Sequence, residues 1–419
     1  MLQMVFLLVA LASIVLLIQR KRPLYQAMLV GIFILILSMG KPPAESARLL
    51  YRGLTSEVTL ELVFAVGLIS LLSRMLKDMG FLENLMESVV HLFRSAKAAL
   101  VIIPALIGLF PVVGGAIMSA PMVDDLGDRL KLTQTVKSSV NLVFRHAVFY
   151  FSPFNPALIL MASITGFELT ALLKYLFPIG IVNFAVAYLI YLHGKAEVKQ
   201  EDEDPGTNQD SGQGSQQGMW FKQFKALLYY GAPLFASLGL FIAFGVPLLV
   251  SLVIGVVIAY VLGDKTDIDF KDLLINGPNP ILMLGIAGIM VFQELVHDLE
   301  GAVLLIERLA QSGIPLVVLF VLVPLVIGWV SAAFSIAIAI PLPLLFPLVQ
   351  FQEGAIFYAV LLYASAFFSY FVSPIHLCQI LSNNYFCVNT FDVHRVQYRV
   401  LFITFLSGLL LFGVGILIV

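Results

Sequence analysis

Long apolar runs, not alternating patterns, dominate this chain. An apolar run of about 17–25 residues is the length that crosses a bilayer as a helix. Such runs lie near 2–19, 24–40, 58–76, 136–163 and 171–192, and again near 224–242, 247–262, 280–296, 354–382 and 398–419. Two further apolar stretches, 98–124 and 315–347, are interrupted by Gly, Pro and Ser. Each predicts a re-entrant hairpin, since broken backbone at membrane depth is tolerated only where protein or water satisfies it. Phe81 to Ala96 carries Phe81, Leu82, Leu85, Met86, Val89 and Phe93 on one face, which predicts an amphipathic interfacial helix leading into the first hairpin. Residues 195–219 contain Glu201-Asp202-Glu203-Asp204-Pro205 followed by Gly, Ser and Gln. That composition cannot pack a core and reads as a solvated linker.

The halves on either side of the linker, 1–194 and 220–419, repeat. A shift of 220 residues places Asp78 on Asp298, Glu87 on Glu307, Pro104 on Pro324, Ile107-Gly108 on Ile327-Gly328 and Pro121 on Pro341. One residue later, Ser152-Pro153 falls on Ser373-Pro374. With five crossings and one hairpin per half, the number of crossings is odd and the halves take opposite orientations. The expected fold class is therefore an all-α polytopic membrane protein of two inverted-topology repeats. Of 24 lysines and arginines, only Lys41, Arg48, Arg52, Lys174 and Arg308 fall in loops this topology places outside. Arg145 lies within a span, and all the others fall in expected cytoplasmic loops, in agreement with the positive-inside rule. Arg20-Lys21-Arg22 follows the first apolar run instead of preceding it, which predicts a retained helix and not a signal peptide. Both termini are expected outside, and the linker in the cytoplasm.

Composition narrows the class further. Hydrophobic residues make up 60% of the 419 and charged residues 12%, so lipid must cover part of the apolar surface. A net charge of −2 excludes a basic nucleic-acid binder. Cys378 and Cys387 show neither metal-ligand spacing nor a disulfide framework. No Walker-type phosphate loop, zinc-protease motif or nucleophile elbow is present, so the chain does not read as an enzyme and implies no cofactor beyond a coupling Na⁺ or H⁺.

The candidate chemistry sits at the helix breaks, where half-helix ends expose backbone dipoles to a solute. The first hairpin offers Gly114-Gly115 as a tip with Ser119 beyond it, and the second offers Ser331 and Ser335, one helical turn apart on one face. Small-residue helix packing explains the same residues equally simply. The first broken span carries Asn141, Arg145 and His146 ahead of Ser152-Pro153-Phe154-Asn155-Pro156. Its counterpart carries Ser373-Pro374-Ile375-His376, then Gln379 and Asn383. An arginine at membrane depth is costly and by default marks function; in the bland alternative Arg145 snorkels to the cytoplasmic face or pairs with Asp124 or Asp125. The histidines suit proton transfer or a structural role. Glu294, beside His297 and Asp298 at the end of a span, reads as an ion-coupling carboxylate or as a solvated rim, and Asn141, Gln379 and Asn383 as further ion-coupling candidates.

At these hairpins and Ser-Pro breaks the chain resembles the ion transporter superfamily of gluconate, citrate and dicarboxylate permeases, and within it a poorly characterised branch of predicted integral membrane permeases. Phe144 to Leu158, with His146 ahead of the Ser-Pro/Asn-Pro break, is similar to the broken segment of gluconate permeases. The Ser-Asn-Thr hairpin signature of dicarboxylate carriers is absent. The resemblance implies a homodimer in the cell inner membrane and elevator-like movement of a hairpin-and-broken-helix domain. The expected function is a proton- or sodium-coupled carrier of a small organic anion, with Gly114, Gly115, Ser119, Arg145, His146, Ser152, Asn155, Ser331, Ser335, Ser373 and His376 at its site. A cation/proton antiporter and a non-transporting scaffold or lipid-handling protein are the other two readings.

Overall fold

The computed structural model describes residues 2–93, 95–109, 115–197, 214–266, 268–311 and 313–418. The described residues form helices and no strand. The first half comprises α1 (Leu2–Gln19), α2 (Leu24–Met39), α3 (Pro43–Thr55), α4 (Glu57–Asp78), α5 (Phe81–Phe93), α6 (Ala96–Gly108), α7 (Gly115–Arg129), α8 (Gln134–Ala147), α9 (Pro156–Thr165) and α10 (Leu169–Tyr191). The second comprises α11 (Gly214–Phe244), α12 (Leu248–Leu262), α13 (Phe270–Asn276), α14 (Pro280–His297), α15 (Glu300–Gln311), α16 (Leu316–Ser331), α17 (Phe334–Ala339), α18 (Pro341–Leu345), α19 (Ala355–Phe371), α20 (Leu377–Tyr385) and α21 (Thr390–Ile418).

Among the described residues, six segments are long and apolar enough to cross a membrane: Leu2–Gln19, Glu57–Asp78, Leu169–Tyr191, Trp220–Phe244, Lys271–His297 and Thr390–Ile418. Shorter apolar helices accompany them, and many large apolar side chains, such as Phe33, Phe64, Val257 and Leu410, face outward. This is a helical membrane protein. Two helices, the amphipathic α3 and the short α13, escape an apolar-run reading because charged residues interrupt them.

The two long runs expected to break do break. A 3₁₀ turn at Val148–Tyr150 follows α8, and the chain leaves helical geometry before Asn155 caps α9 with Pro156 at its first position. Pro153 and Pro156 each lack a backbone donor and push the preceding residue out of helical geometry. In the second half α19 ends at Phe371, and α20 starts after His376. The second hairpin corrects one expectation. Ser331 and Ser335 do not share a continuous helix, because Ala332 turns left-handed (φ 49°) and Ala333 is extended, ending α16 and starting α17. Gly114 and most of the linker, residues 198–213, lie outside the described residues.

Packing divides the molecule into two apolar cores. One gathers Ile103, Phe144, Leu176, Phe320, Tyr363 and Phe367 from α5–α10 and α16–α21. The other gathers Leu7, Ile32, Leu72, Leu252 and Phe292 from α1–α4 and α11–α14. Among the described residues α5, α9, α17 and α18 each place buried side chains in both, with Phe81 and Ile336 in the second core and Val89 and Phe334 in the first. Within the second core α2 packs on α14, and α12 on α4. Within the first, α6 packs on α8 and α16 on α19, while α10 and α21 pack on each other.

Candidate functional site

The site lies in the first core, where the two helix breaks meet the hairpin helices. Gly108 and Gly328 permit the close approach. A Cβ on Gly108 would fall 1.9 Å from the Arg145 carbonyl oxygen, and one on Gly328 would fall 3.2 Å from that of Ala366. The Ser-Pro hydroxyls then tie the breaks to the hairpins. Ser152 Oγ donates to the Leu109 carbonyl (3.4 Å), and Ser373 Oγ to the Trp329 carbonyl (2.6 Å). Both serines thus satisfy carbonyls at the C-terminal ends of α6 and α16, groups that a helix end leaves without an internal partner. Ser331 Oγ accepts from the Ala333 amide at 3.3 Å and caps the break in its own hairpin. Ser335 is half-buried in α17.

Arg145 and His146 end α8, and both are nearly buried, at 4% and 1% exposure. The guanidinium reaches Cys378 on α20, with Nη1 donating to Sγ at 3.7 Å. It also lies against Gly115, where a Cβ would sit 2.5 Å from Nη2, so any larger residue at the start of α7 would have to displace the guanidinium. Asp124 and Asp125, the carboxylates considered for Arg145 from sequence, belong to other cations. Asp124 and Asp128 hold Lys137 Nζ at 2.5 and 2.7 Å, and Asp125 holds Arg129 at 2.9 Å. Lys137 is fully buried between α7 and α8, although the sequence places it in a cytoplasmic loop.

His146 and His376 bring the two breaks into contact, with ring centroids 5.1 Å apart and the planes nearly perpendicular. His146 Nδ1 lies 2.7 Å from the Leu142 carbonyl, and His376 Nδ1 lies 3.4 Å from that of Phe371. Phe149 and Phe371 meet His146 edge-on, and Tyr370 meets His376 at a tilt. Asn155 caps α9 by accepting from the Ala157 amide and donates to Tyr363 Oη at 3.0 Å. Tyr363 in turn donates to the Phe149 carbonyl at 2.5 Å, so a side chain of α19 holds the first break in place.

A second, uncharged cluster joins α7, α8 and α20. Ser119 Oγ donates to Asn141 Oδ1 (2.5 Å), and Asn141 Nδ2 donates to the Ala116 carbonyl (2.8 Å) and Ser382 Oγ (3.1 Å). Ser138 Oγ and Gln379 Nε2 both donate to Asn383 Oδ1, at 2.8 and 2.9 Å. Gln379 Oε1 is buried without a hydrogen-bond partner. Four expected residues, Ser119, Asn141, Gln379 and Asn383, are thereby brought together. Ser138 and Ser382 join them and had not been singled out, although each stands within three residues of a candidate asparagine.

Glu294 stands apart from both clusters. It pairs with Arg52 of α3, on a helix that packs into the other core.

Chemically, the first cluster offers one guanidinium, two imidazoles and a thiol, and the second offers only neutral oxygens and amides. The pair suits an anionic or polar solute beside a weakly held cation. The fold and site define a helical membrane protein whose polar centre lies where two broken helices meet. A family model described as a protein of unknown function, DUF401, matches residues 3–203 and 221–415, and the chain belongs to that family. Its two matched segments part at the acidic linker. No curated protein matches the chain.

Proposed function

We propose that the chain is a secondary active transporter, a proton- or sodium-coupled carrier of a small organic anion, built from two inverted repeats. The observation that carries this reading is the buried Arg145 guanidinium at the junction of the two helix breaks. An intramembrane arginine held between discontinuous helices is a ready site for a carboxylate, which it can bind in bidentate fashion. The neutral cluster of Ser119, Asn141, Ser138, Ser382, Gln379 and Asn383 is of the kind that holds a monovalent coupling ion, with Gln379 Oε1 as an available oxygen.

The inverted repeat draws support from matching contacts. The Ser152–Leu109 and Ser373–Trp329 bonds and the Gly108 and Gly328 approaches fall at positions related by the repeat. Packing of α2 on α14 mirrors that of α12 on α4. Re-entrance of the first hairpin draws support from the Ala96 amide, which donates to Glu197 at 3.2 Å. With α8–α9 and α10 counted as two crossings, that contact keeps both residues on one face only if the hairpin returns to its side of entry. Gln3 with Gly301, and Lys41 with Asp298, likewise join segments assigned to the outer face. The two cores suit an elevator in which the broken-helix core slides against a scaffold, which the resemblance would place at a homodimer interface in the inner membrane.

Uptake of labelled hydroxy- and dicarboxylates into proteoliposomes under imposed proton or sodium gradients tests the reading. Gradient-dependent uptake is expected in the parent protein, and loss of it in Arg145→Gln with the fold retained. Absence of gradient-dependent flux for every anion in the panel would sink it.

A further inference from the structure

We propose that His146, His376 and Cys378 form a binding site for a monovalent soft metal ion of the copper(I) class. The three side chains present one ligand atom each, all within 4.8 Å of one another, and both histidines are buried. In each ring Nδ1 faces a backbone carbonyl, Leu142 for His146 and Phe371 for His376. With Nδ1 as the donor, each Nε2 is left with its lone pair. Metal-binding histidines are commonly oriented in this way, by donating their other nitrogen to a carbonyl or carboxylate. His376 Nε2 is buried and has no hydrogen-bond partner, so this acceptor has lost water without gaining a replacement.

Three ligand atoms on a trigonal ion stand about 3.5–3.8 Å apart, given metal–nitrogen and metal–sulfur lengths near those of zinc. A spacing of at most 4.8 Å therefore needs a contraction of no more than about 1 Å. The ligands come from the end of α8 and the start of α20, so a bound ion would link the two helix breaks.

Charge selects among metals. Binding replaces the Cys378 thiol proton by the ion: the S–H bond breaks, the S–metal bond forms, and the proton leaves to solvent. A monovalent ion leaves the net charge of the cluster unchanged, and a divalent ion adds one positive charge beside the Arg145 guanidinium, which already touches Cys378 Sγ. In a buried site that addition is heavily penalised. Thiolate and imidazole together suit copper(I), whereas zinc adds charge and prefers a fourth ligand. The site does not depend on organic-anion transport and stands whether or not that reading does.

The test titrates the detergent-purified, reduced protein with copper(I) buffered by a competing chelator, and in parallel with zinc(II). One copper(I) per chain is expected, held at least about 100-fold more tightly than zinc. Cys378→Ser, His146→Gln and His376→Gln should each weaken copper(I) binding by about 100-fold or more. Cys387→Ser, at an exposed cysteine outside the cluster, should leave it unchanged. X-ray absorption of the copper-loaded parent protein needs no variant to fold, and should show one sulfur and two imidazole nitrogens. Binding that survives all three ligand variants, that is lost with Cys387→Ser, or that lacks imidazole scattering would overturn the assignment.

Discussion

The two hairpin glycines make the sharpest quantitative test of how the broken helices are seated. In Gly108→Ala the new Cβ falls 1.9 Å from the Arg145 carbonyl oxygen and 2.8 Å from its carbon and from Val148 Cγ2. Ordinary contact begins near 3.4 Å, so α6 must retreat from α8 by more than 1 Å, and the nearest obstacle is backbone that no rotamer change can clear. Overpacking of this kind costs about 1–3 kcal/mol, and a backbone clash belongs at the upper end. In Gly328→Ala the nearest atom is instead the Ser369 hydroxyl at 2.1 Å, which can rotate away, and the next contacts are 3.1 Å and 3.2 Å. A cost of about 1 kcal/mol follows, mostly the lost hydroxyl bond to the Pro324 carbonyl. Gly239 in α11 has nothing within 4 Å of a built Cβ, so Gly239→Ala should gain up to about 1 kcal/mol of helix propensity. Thermal or denaturant unfolding of the three purified variants should rank Gly108→Ala lowest, Gly328→Ala next and Gly239→Ala at or above the parent. Gly108→Ala as stable as Gly239→Ala would refute the close seating of α6 on α8.

Three further outcomes are expected. Tyr363→Phe removes the hydroxyl shared by Asn155 and the Phe149 carbonyl and should destabilise the protein by about 1–3 kcal/mol in denaturant unfolding, since the buried Asn155 amide loses its acceptor and the part-buried carbonyl its donor. Lys137→Met leaves Asp124 and Asp128 without their cation, but both are partly exposed, so the loss should be about 1–3 kcal/mol, below the range for fully buried pairs; adding Asp124→Asn should recover part of it in the same assay. Hydrogen bonds first to Asp298 and then to Glu45 raise the Lys41 ammonium above its ordinary 10.5. The stability this adds is complete below that value and fades as pH rises through the raised one, so Lys41→Met should lower stability by the full amount near neutrality, and its difference from the parent should vanish at alkaline pH.

Much of the helical frame was legible because run length and proline position are local properties. The long runs give α1, α4, α10 and α21, and Pro153, Pro156 and Pro374 mark the two breaks. The amphipathic α3 and the short α13 were hidden, since neither shows a sustained apolar run. The site was half legible. Proximity to a break singled out Asn141, Arg145, His146 and His376, but pairing across the halves is invisible to local reading. Ser138 meets Asn383 across 245 positions, and Arg145 meets Cys378 across 233. Spacing likewise gave no role to Cys378, because its ligand-like neighbour His146 lies on a different helix. Lys137 read as a loop cation because its carboxylates, Asp124 and Asp128, sit on the hairpin's returning helix. The Ser-Pro serines were assigned to solute, but their hydroxyls satisfy backbone carbonyls.

That last difference separates frame from chemistry within the proposed repeat. The contacts that recur in both halves are made to backbone: serine hydroxyls on Leu109 and Trp329 carbonyls, and glycines facing the Arg145 and Ala366 carbonyls. Such contacts fix where each broken helix sits and are indifferent to the side chains beyond them. The charges around the breaks do not recur. Under the repeat, Arg145 stands opposite Ala366, Lys137 opposite Tyr358, and Asp124 and Asp128 opposite Leu344 and Leu348. The two proposed seats therefore hold one guanidinium and one ion-pair cluster between them. A solute bound at the junction would meet positive charge from one side and a neutral, aromatic wall from the other, which orients a molecule with a single carboxylate end. A dicarboxylate would have to leave its second charge without a cationic partner from α19 or α20, so monocarboxylates should outcompete dicarboxylates for Arg145-dependent uptake.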